Sequence, residues 1–379
     1  MIEFLTMLPT HGDSAYVGVT NPEPGRTDPW VTIADREPSL AYAIKYAQAA
    51  EKSGFSALLL PTGNVCLDSL VTASALASST ETLKFLIAAR PGFTAPATFA
   101  RQIGTLDYYT NGRALVNIIT GGNPAELNAD GDFLDHASRY RRTAEFIHVL
   151  KRLFTEDHFT HEGEFYHLKD ASLFYKSVQK PRPTIYFGGA SSDAIQAAAK
   201  EADVYMLWAE TLELTKERID EVKAAAVAYN RTLGYSISFQ VYLGDTEEEA
   251  WANARSRVQY VKNEVYDAKA KLTAKNESFG EKRLQQLMED SRDNGFQIGP
   301  NLWAGLTQAL GGNSIALVGT PDQVADRIIE YADLGFDKFL LRGYPFIETV
   351  EAVGRDLIPR VQQKLAERER EAAKTVSLA

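Results

Sequence analysis

Along the chain, short runs of consecutive apolar residues alternate with stretches whose apolar positions recur every three or four residues. The runs are Ile2–Leu8, Ser56–Pro61, Leu83–Arg90, Ala114–Thr120, Thr184–Gly188, Asp203–Trp208, Ile237–Leu243 and Lys338–Arg342. Continuous runs, rather than strictly alternating ones, predict strands of a parallel sheet covered on both faces. The periodic stretches predict amphipathic helices over Leu40–Ser53, Ala95–Tyr108, Tyr140–Phe154, Asp193–Glu201, Leu214–Leu233 and Pro321–Leu334. Eight strands with helices between them predict an α/β fold, a (β/α)8 TIM barrel, with a doubly wound sheet as the second architecture.

Three segments exceed a minimal barrel. Asn21–Glu37, rich in Pro, Asp and Thr, reads as a loop after strand one; it is of a length to cap a pocket or pack on a second subunit. Asn123–Pro183, after strand four, contains the aromatic-rich Phe159–Tyr166, which predicts a small hairpin. Thr246–Gly319, after strand seven, combines a charged helix (Glu247–Ala274), a polar stretch (Asn276–Asn294) and Gly299-Pro-Asn-Leu-Trp-Ala-Gly305. Long segments of this kind in a compact domain are usually lids or binding loops, and all three follow the strand ends at which such barrels place their sites. The expected organisation is one barrel domain over residues 1–360, a lid insertion at about 246–319, and a charged tail over 361–379.

The strand ends carry the chemistry. In Ala114–Thr120 a carboxamide, Asn117, interrupts an otherwise apolar run that stops at Thr120-Gly-Gly-Asn-Pro124. A buried strand has little use for such a group, and a plain turn needs fewer glycines. The fifth run ends in Gly188-Gly-Ala-Ser-Ser-Asp193 before an alanine-rich helix, so free N–H groups and two hydroxyls meet at a helix N-terminus. That arrangement accepts a phosphate, or Ser191 or Ser192 simply caps the helix.

Composition removes several alternatives. Across 379 residues, 45% apolar, the net charge of −10 and the lack of a basic stripe argue against nucleic-acid binding. No run is long enough to span a bilayer, and the N-terminus lacks a basic signal region. Cys66 is the only cysteine, which excludes an internal disulfide and leads us to expect a reduced, cytoplasmic setting. P-loop, dinucleotide-binding, zinc-protease and esterase-elbow motifs are missing, and no metal is expected. With no evident nucleophile, a bound organic cofactor is the expected carrier of the chemistry.

Ten motifs then point one way. Leu8-Pro-Thr-His-Gly-Asp13, Leu60-Pro-Thr-Gly63, Thr105-Leu-Asp107, Asn111-Gly-Arg113, Val116-Asn-Ile-Ile-Thr-Gly-Gly122, Gly131-Asp-Phe-Leu-Asp-His136, Arg139-Tyr140, Tyr186-Phe-Gly-Gly189, Pro300-Asn-Leu-Trp-Ala-Gly305 and Gly343-Tyr-Pro345 occur in this order. The chain, from strand one to about Leu357, resembles the alkanesulfonate monooxygenases of the bacterial-luciferase-like, flavin-dependent family. The resemblance implies a two-component monooxygenase: reduced FMN comes from an NAD(P)H-dependent flavin reductase, and O2 is the cosubstrate, acting through a peroxyflavin. It also implies a homodimer or homotetramer. By the same resemblance Asn117 and Thr120 face the flavin, Ala89 and Arg90 lie beside the isoalloxazine, and Tyr140, Gly189, Ala190, Ser191 and Ser192 surround its phosphate. The motifs are closer to the FMN branch than to the deazaflavin branch.

The substrate positions depart from the pattern. An arginine and a histidine on strand seven of the sulfonate enzymes become Ser238 and Gln240 here. A loop arginine before Gly-Gly becomes Leu310, and a histidine after Gly-Tyr-Pro becomes Phe346, whereas Cys66 and Tyr344 are retained. A sulfonate needs charge-assisted partners, and those are mostly lost. Arg342, a position that is small and neutral in the relatives, either restores one charge or pairs with a lid carboxylate. A small organosulfur or nitrogen-containing substrate therefore suits Ser238 and Gln240 better, with a true sulfonate desulfonase and a non-catalytic flavin-binding protein as the alternatives. Tyr344 is a candidate proton donor, and Cys66 a tuning thiol or a small buried side chain. His11 and Asp13 order a cofactor or make a turn; Trp208 is a wall or core; Asp135 and His136 brace a loop.

Overall fold

A computed structural model describes residues 2–18 and 35–378, with side chains described to Lys374. Eight parallel strands close on themselves: β1 (Glu3–Met7), β2 (Ala57–Leu60), β3 (Lys84–Ala89), β4 (Ala114–Ile118), β5 (Ile185–Gly188), β6 (Val204–Trp208), β7 (Gly234–Leu243) and β8 (Lys338–Arg342). They pair in chain order, and β8 returns to β1 while also pairing with β7. The (β/α)8 barrel is thus present, and each predicted run supplies one strand. The loop predicted over Asn21–Glu37 lies outside the described residues except at its end.

A strand places successive side chains on opposite faces, and in this barrel that alternation divides the interior into two cores. Outward positions such as Val116, Ile118, Ile237, Phe239, Phe339 and Leu341 pack against the helices. Inward positions form a smaller plug of Leu5, Ala57, Leu86, Leu115, Tyr186, Val204 and Leu340, with Met7, Leu59 and Met206 packed on it. One step further along the strands, the same inward face carries Asn117, Ser238 and Gln240, and on β8 Arg342 (from the alternation with Leu340). Those polar groups sit at the carboxyl mouth because a period of two leaves them nowhere else to point.

Two predicted segments change in detail. The single charged helix over Glu247–Ala274 is two helices, Glu247–Ser256 and Asn263–Lys275. The stretch read as polar contains a third, Phe279–Asp290, whose buried Leu284 and Met288 pack inward while Ser278 caps it. A strand that the apolar-run pattern did not single out, Ala316–Gly319, pairs in parallel with the last residues of β7 and carries a small antiparallel extension. The hairpin after β4 is present, as Phe159–Glu162 against His167–Ala171. The C-terminal helix Ile358–Leu378 is tied to helix Pro321–Asp333 by Arg360–Asp322 and Lys364–Asp326.

Candidate functional site

The mouth of the barrel holds a cavity of about 260 Å³, at the small end for ligand sites, which run from about 300 to 1,000 Å³. Its floor is the apolar top of the inner plug, Met7, Leu59, Met206 and Leu340. One wall is the end of β4, Asn117 and Thr120, with Gly121 and Gly122. The next is the end of β5, Gly188 to Ser191, faced by His136 and Tyr140. The roof is the lid segment Glu277–Gly280, with Leu284, Trp208 and Asn313 beside it.

Each wall group is held for a local reason. Asn117 is 4% exposed, and its Oδ1 has no hydrogen-bond partner. A buried acceptor left so costs about 1–3 kcal/mol, so this strand carries a strained group facing the cavity. Thr120 shares a 3.1 Å hydrogen bond with Thr143. Ser191 is the N-cap of helix Ser192–Glu201, and its hydroxyl accepts from the Ala194 N–H at 3.2 Å. The same hydroxyl pairs with the Tyr140 phenol, whose pKa is pushed up mainly by burial. Gly189 is a close approach: a Cβ there would stand 2.6 Å from the Ala194 Cβ and 3.2 Å from the Tyr140 hydroxyl. The Tyr205 hydroxyl donates to its carbonyl and fixes the turn.

Lid and barrel are tied by charge. Arg283 grips Glu210 with two hydrogen bonds of 2.6 and 2.7 Å, and Arg139 pairs with Glu277. The Glu277 N–H also donates to the Gly122 carbonyl at 2.8 Å. Trp208, 40% exposed, is overlain by Gly280 and Gly312, whose added Cβ atoms would lie 3.0 and 3.1 Å from its ring. It is a cavity wall rather than barrel core.

The remaining candidates gather behind that cavity, across β7 and β8. Ser238 lines the cavity and donates to the Leu207 carbonyl at 3.3 Å. Gln240 and Arg342 are register partners on adjacent strands. Both donate to one acceptor, the Asn313 carbonyl, at 2.8 and 3.2 Å respectively. Arg342 also reaches Met7 Sδ at 3.5 Å and lies over the Phe346 ring. No carboxylate pairs with it among the described residues, and burial drives its pKa down, opposed by Tyr344, Tyr46, Tyr242 and Cys66. His11 is pushed down to about 4, by burial first and by Arg342 second. Burial pushes the Tyr344 phenol and the Cys66 thiol up. Asp13 is a structural tie, accepting from Tyr42 at 2.7 Å, Arg36 at 3.1 Å and the Phe346 N–H at 2.9 Å.

A model of the luciferase-like monooxygenases matches residues 3–338. The chain belongs to the luciferase-like monooxygenase family. Similar solved structures of this fold include a riboflavin lyase with modified FMN and its substrate riboflavin, 19% identical over 96% of this chain and 92% of that one, with a TM-score of 0.76. A long-chain alkane monooxygenase is 22% identical over 96% and 91%, with a TM-score of 0.72. The EDTA monooxygenase of Chelativorans sp. BNC1 is 20% identical over 96% and 94%, with a TM-score of 0.71. At these identities the likeness concerns the fold.

Among the sequence-derived candidates for this luciferase-like protein, the cavity brings together Asn117, Thr120, Tyr140, Gly189, Ala190, Ser191 and Ser238. Ala89, Arg90, Ser192, Cys66, Gln240, Arg342 and Tyr344 stand outside its lining. Arg90 is turned to Glu126 at 2.9 Å and Asp130 at 3.6 Å, and Ala89 accepts the Ile119 N–H. Asp135 caps helix His136–Thr155, as a loop brace does, but His136 lines the cavity, in tilted contact with the Tyr140 ring and 3.4 Å from Asp193. Sequence reasoning missed Arg218, Phe279, Gly280 and Asn313. The Ser278-Phe-Gly-Glu281 capping pattern was the available signal for the lid helix. Asn313 offered only its place after two glycines.

Proposed function

We propose that this protein is the oxygenase of a two-component system that takes reduced FMN from a separate NAD(P)H-dependent flavin reductase and uses O2 on a small, uncharged organosulfur or nitrogen-containing compound. The single observation that carries the reading is the meeting of Asn117, Tyr140, Gly189 and Ser191 in one cavity at the barrel mouth. The residues suit the group. The unpartnered Asn117 Oδ1 is an acceptor for a flavin ring N–H, Gly189 leaves room a side chain would fill, and the capped helix N-terminus with Tyr140 suits a phosphate.

When bound, reduced FMN supplies the activation of O2. The protein's own share is placement and exclusion of water. The β4 and β5 ends would hold its ring and phosphate, the Glu277–Gly280 roof, tied by Glu277 to Arg139 beside the Arg283–Glu210 pair, covers the cavity, and the apolar floor leaves water no partners there. Tyr344, proposed from sequence as a proton donor, is a buried phenol whose pKa burial raises, and it lies outside the cavity lining.

The desulfonase reading needs Arg342 as an anion anchor. Its guanidinium is engaged with the Asn313 carbonyl and Met7, outside the lining, which favours the uncharged substrate. Exposed aromatic residues Tyr108, Tyr109, Phe174 and Tyr175, in mutual ring contact, support a homo-oligomer, which light scattering would measure.

Anaerobic titration with reduced FMN, then rapid mixing with oxygen, tests the proposal. The expected result is tight binding and reoxidation slower than that of free flavin. Reoxidation at the free rate leaves a flavin binder, and failure to bind in either redox state removes the reading. Sulfite release from any of a panel of alkanesulfonates with a flavin reductase would restore the desulfonase.

A further inference from the structure

The loop Leu310–Ser314 is fixed on both sides of Asn313. Gln240 and Arg342 hold the Asn313 carbonyl, and the Gln240 N–H donates to the Ile315 carbonyl at 2.9 Å. Ser314 shares a 2.7 Å hydrogen bond with Thr307, and the Gly312 N–H donates to the buried Glu281 carboxylate. The side chain thus immobilised is 8% exposed, lines the cavity, and has no partner for either Oδ1 or Nδ2. Native interiors seldom leave both ends of a carboxamide unmade.

Charge in the cavity gives the complement. The charged residues of its lining are Glu210, Arg218 and Glu277, each facing an opposite charge, Arg283, Glu221 and Arg139, and His136 lies 3.4 Å from Asp193. Away from the helix N-terminus at Ser191, none of these cations is free to anchor a substrate anion, whereas a neutral group with both an acceptor and an N–H finds the Asn313 carboxamide ready to pair with each.

We infer that Asn313 determines substrate specificity, selecting a neutral amide-type group, a lactam or a sulfonamide, by donating Nδ2–H to its C=O or S=O oxygen while Oδ1 accepts its N–H. The inference deepens the proposed function and rests on it for turnover, but not for binding. Gln240 and Arg342 then act through the loop as positioning residues.

The test is ligand-observed NMR titration of the full chain with four probes: 2-pyrrolidone, methanesulfonamide, dimethyl sulfone and methanesulfonate. The first two are expected to bind, dimethyl sulfone about tenfold more weakly because it has no N–H, and methanesulfonate not at all. Asn313→Leu is expected to weaken 2-pyrrolidone binding about tenfold or more while its thermal midpoint stays level or rises, since an unpartnered carboxamide has gone. A merely structural asparagine would lower that midpoint. Asn313→Asp, which keeps the shape but replaces the Nδ2 donor with an acceptor oxygen and adds a carboxylate charge, is expected to weaken the lactam as well and serves if the leucine variant does not fold. Methanesulfonate binding as tightly as the lactam, unchanged lactam affinity in both variants, or no binding by any probe would overturn the assignment. Lactam binding without FMN binding would leave it standing and sink the flavin reading; the reverse would separate the two the other way.

Discussion

The two halves of the barrel mouth use polar groups differently. On the β4–β5 side, Asn117, Ser191 and Gly189 present hydroxyl, carboxamide and backbone directly to the cavity. On the β7–β8 side only Ser238 lines the cavity directly, while Gln240 and Arg342 are buried and hold a loop, which in turn presents Asn313. One half is built into the scaffold, and the other is delegated to an insertion. A group held at fixed geometry suits the first arrangement, and one that must be changed from protein to protein suits the second.

The comparison can be broken at several points. The largest expected effect is at Gly189→Val, where the added atoms collide with Ala194 and Tyr140; FMN binding should drop below detection in a fluorescence titration. On the other side, the His11 ring has a folded pKa near 4 against 6.5 unfolded. The unfolded chain therefore binds more protons between those values, so the neutral ring's contribution is complete above about pH 6.5 and lost as pH falls towards 4. Thermal unfolding followed by calorimetry should show up to about 3 kcal/mol of destabilisation across that window. His11→Asn should flatten the slope.

Arg342→Met keeps the volume but releases the Asn313 carbonyl. We expect kcat/KM to fall about 30-fold, roughly 2 kcal/mol, while the FMN dissociation constant moves by less than about threefold, as steady-state and titration data would show. Equal losses in both would erase the distinction between the halves. Arg283→Ala removes one tie of the roof, and flavin dissociation measured by stopped flow should speed up about tenfold. Asp135→Ala removes a cap on the helix bearing Tyr140 and should cost about 1 kcal/mol in chemical denaturation.

The same division explains what could be read from sequence. Continuous apolar runs marked every barrel strand, because a strand covered on both faces has no polar side to interrupt it. Asn117 was legible as a carboxamide that broke such a run, as Ser238 and Gln240 break the run of β7. The Phe279–Asp290 helix was not, since only Leu284, Gln285 and Met288 of its length are fully buried and the rest is partly or wholly exposed. Strand Ala316–Gly319 was hidden for another reason: its apolar run lies inside a segment whose length read as a lid. Asn313 matters only because distant residues on β7 and β8 seize its backbone, and no local pattern reports a contact of that kind. Arg342 was visible as a departure, but its partner proved to be a carbonyl rather than a carboxylate.

The upper part of β7 pairs with strand Ala316–Gly319, so the chain leaves the barrel at Leu243 and comes back beside Gln240. The whole excursion between is therefore a cassette clipped in at two adjacent points. Its contents can lengthen, shorten or exchange without altering the stagger of the eight barrel strands, which lets one cavity at the barrel mouth be refitted for new chemistry by rewriting a single stretch of chain.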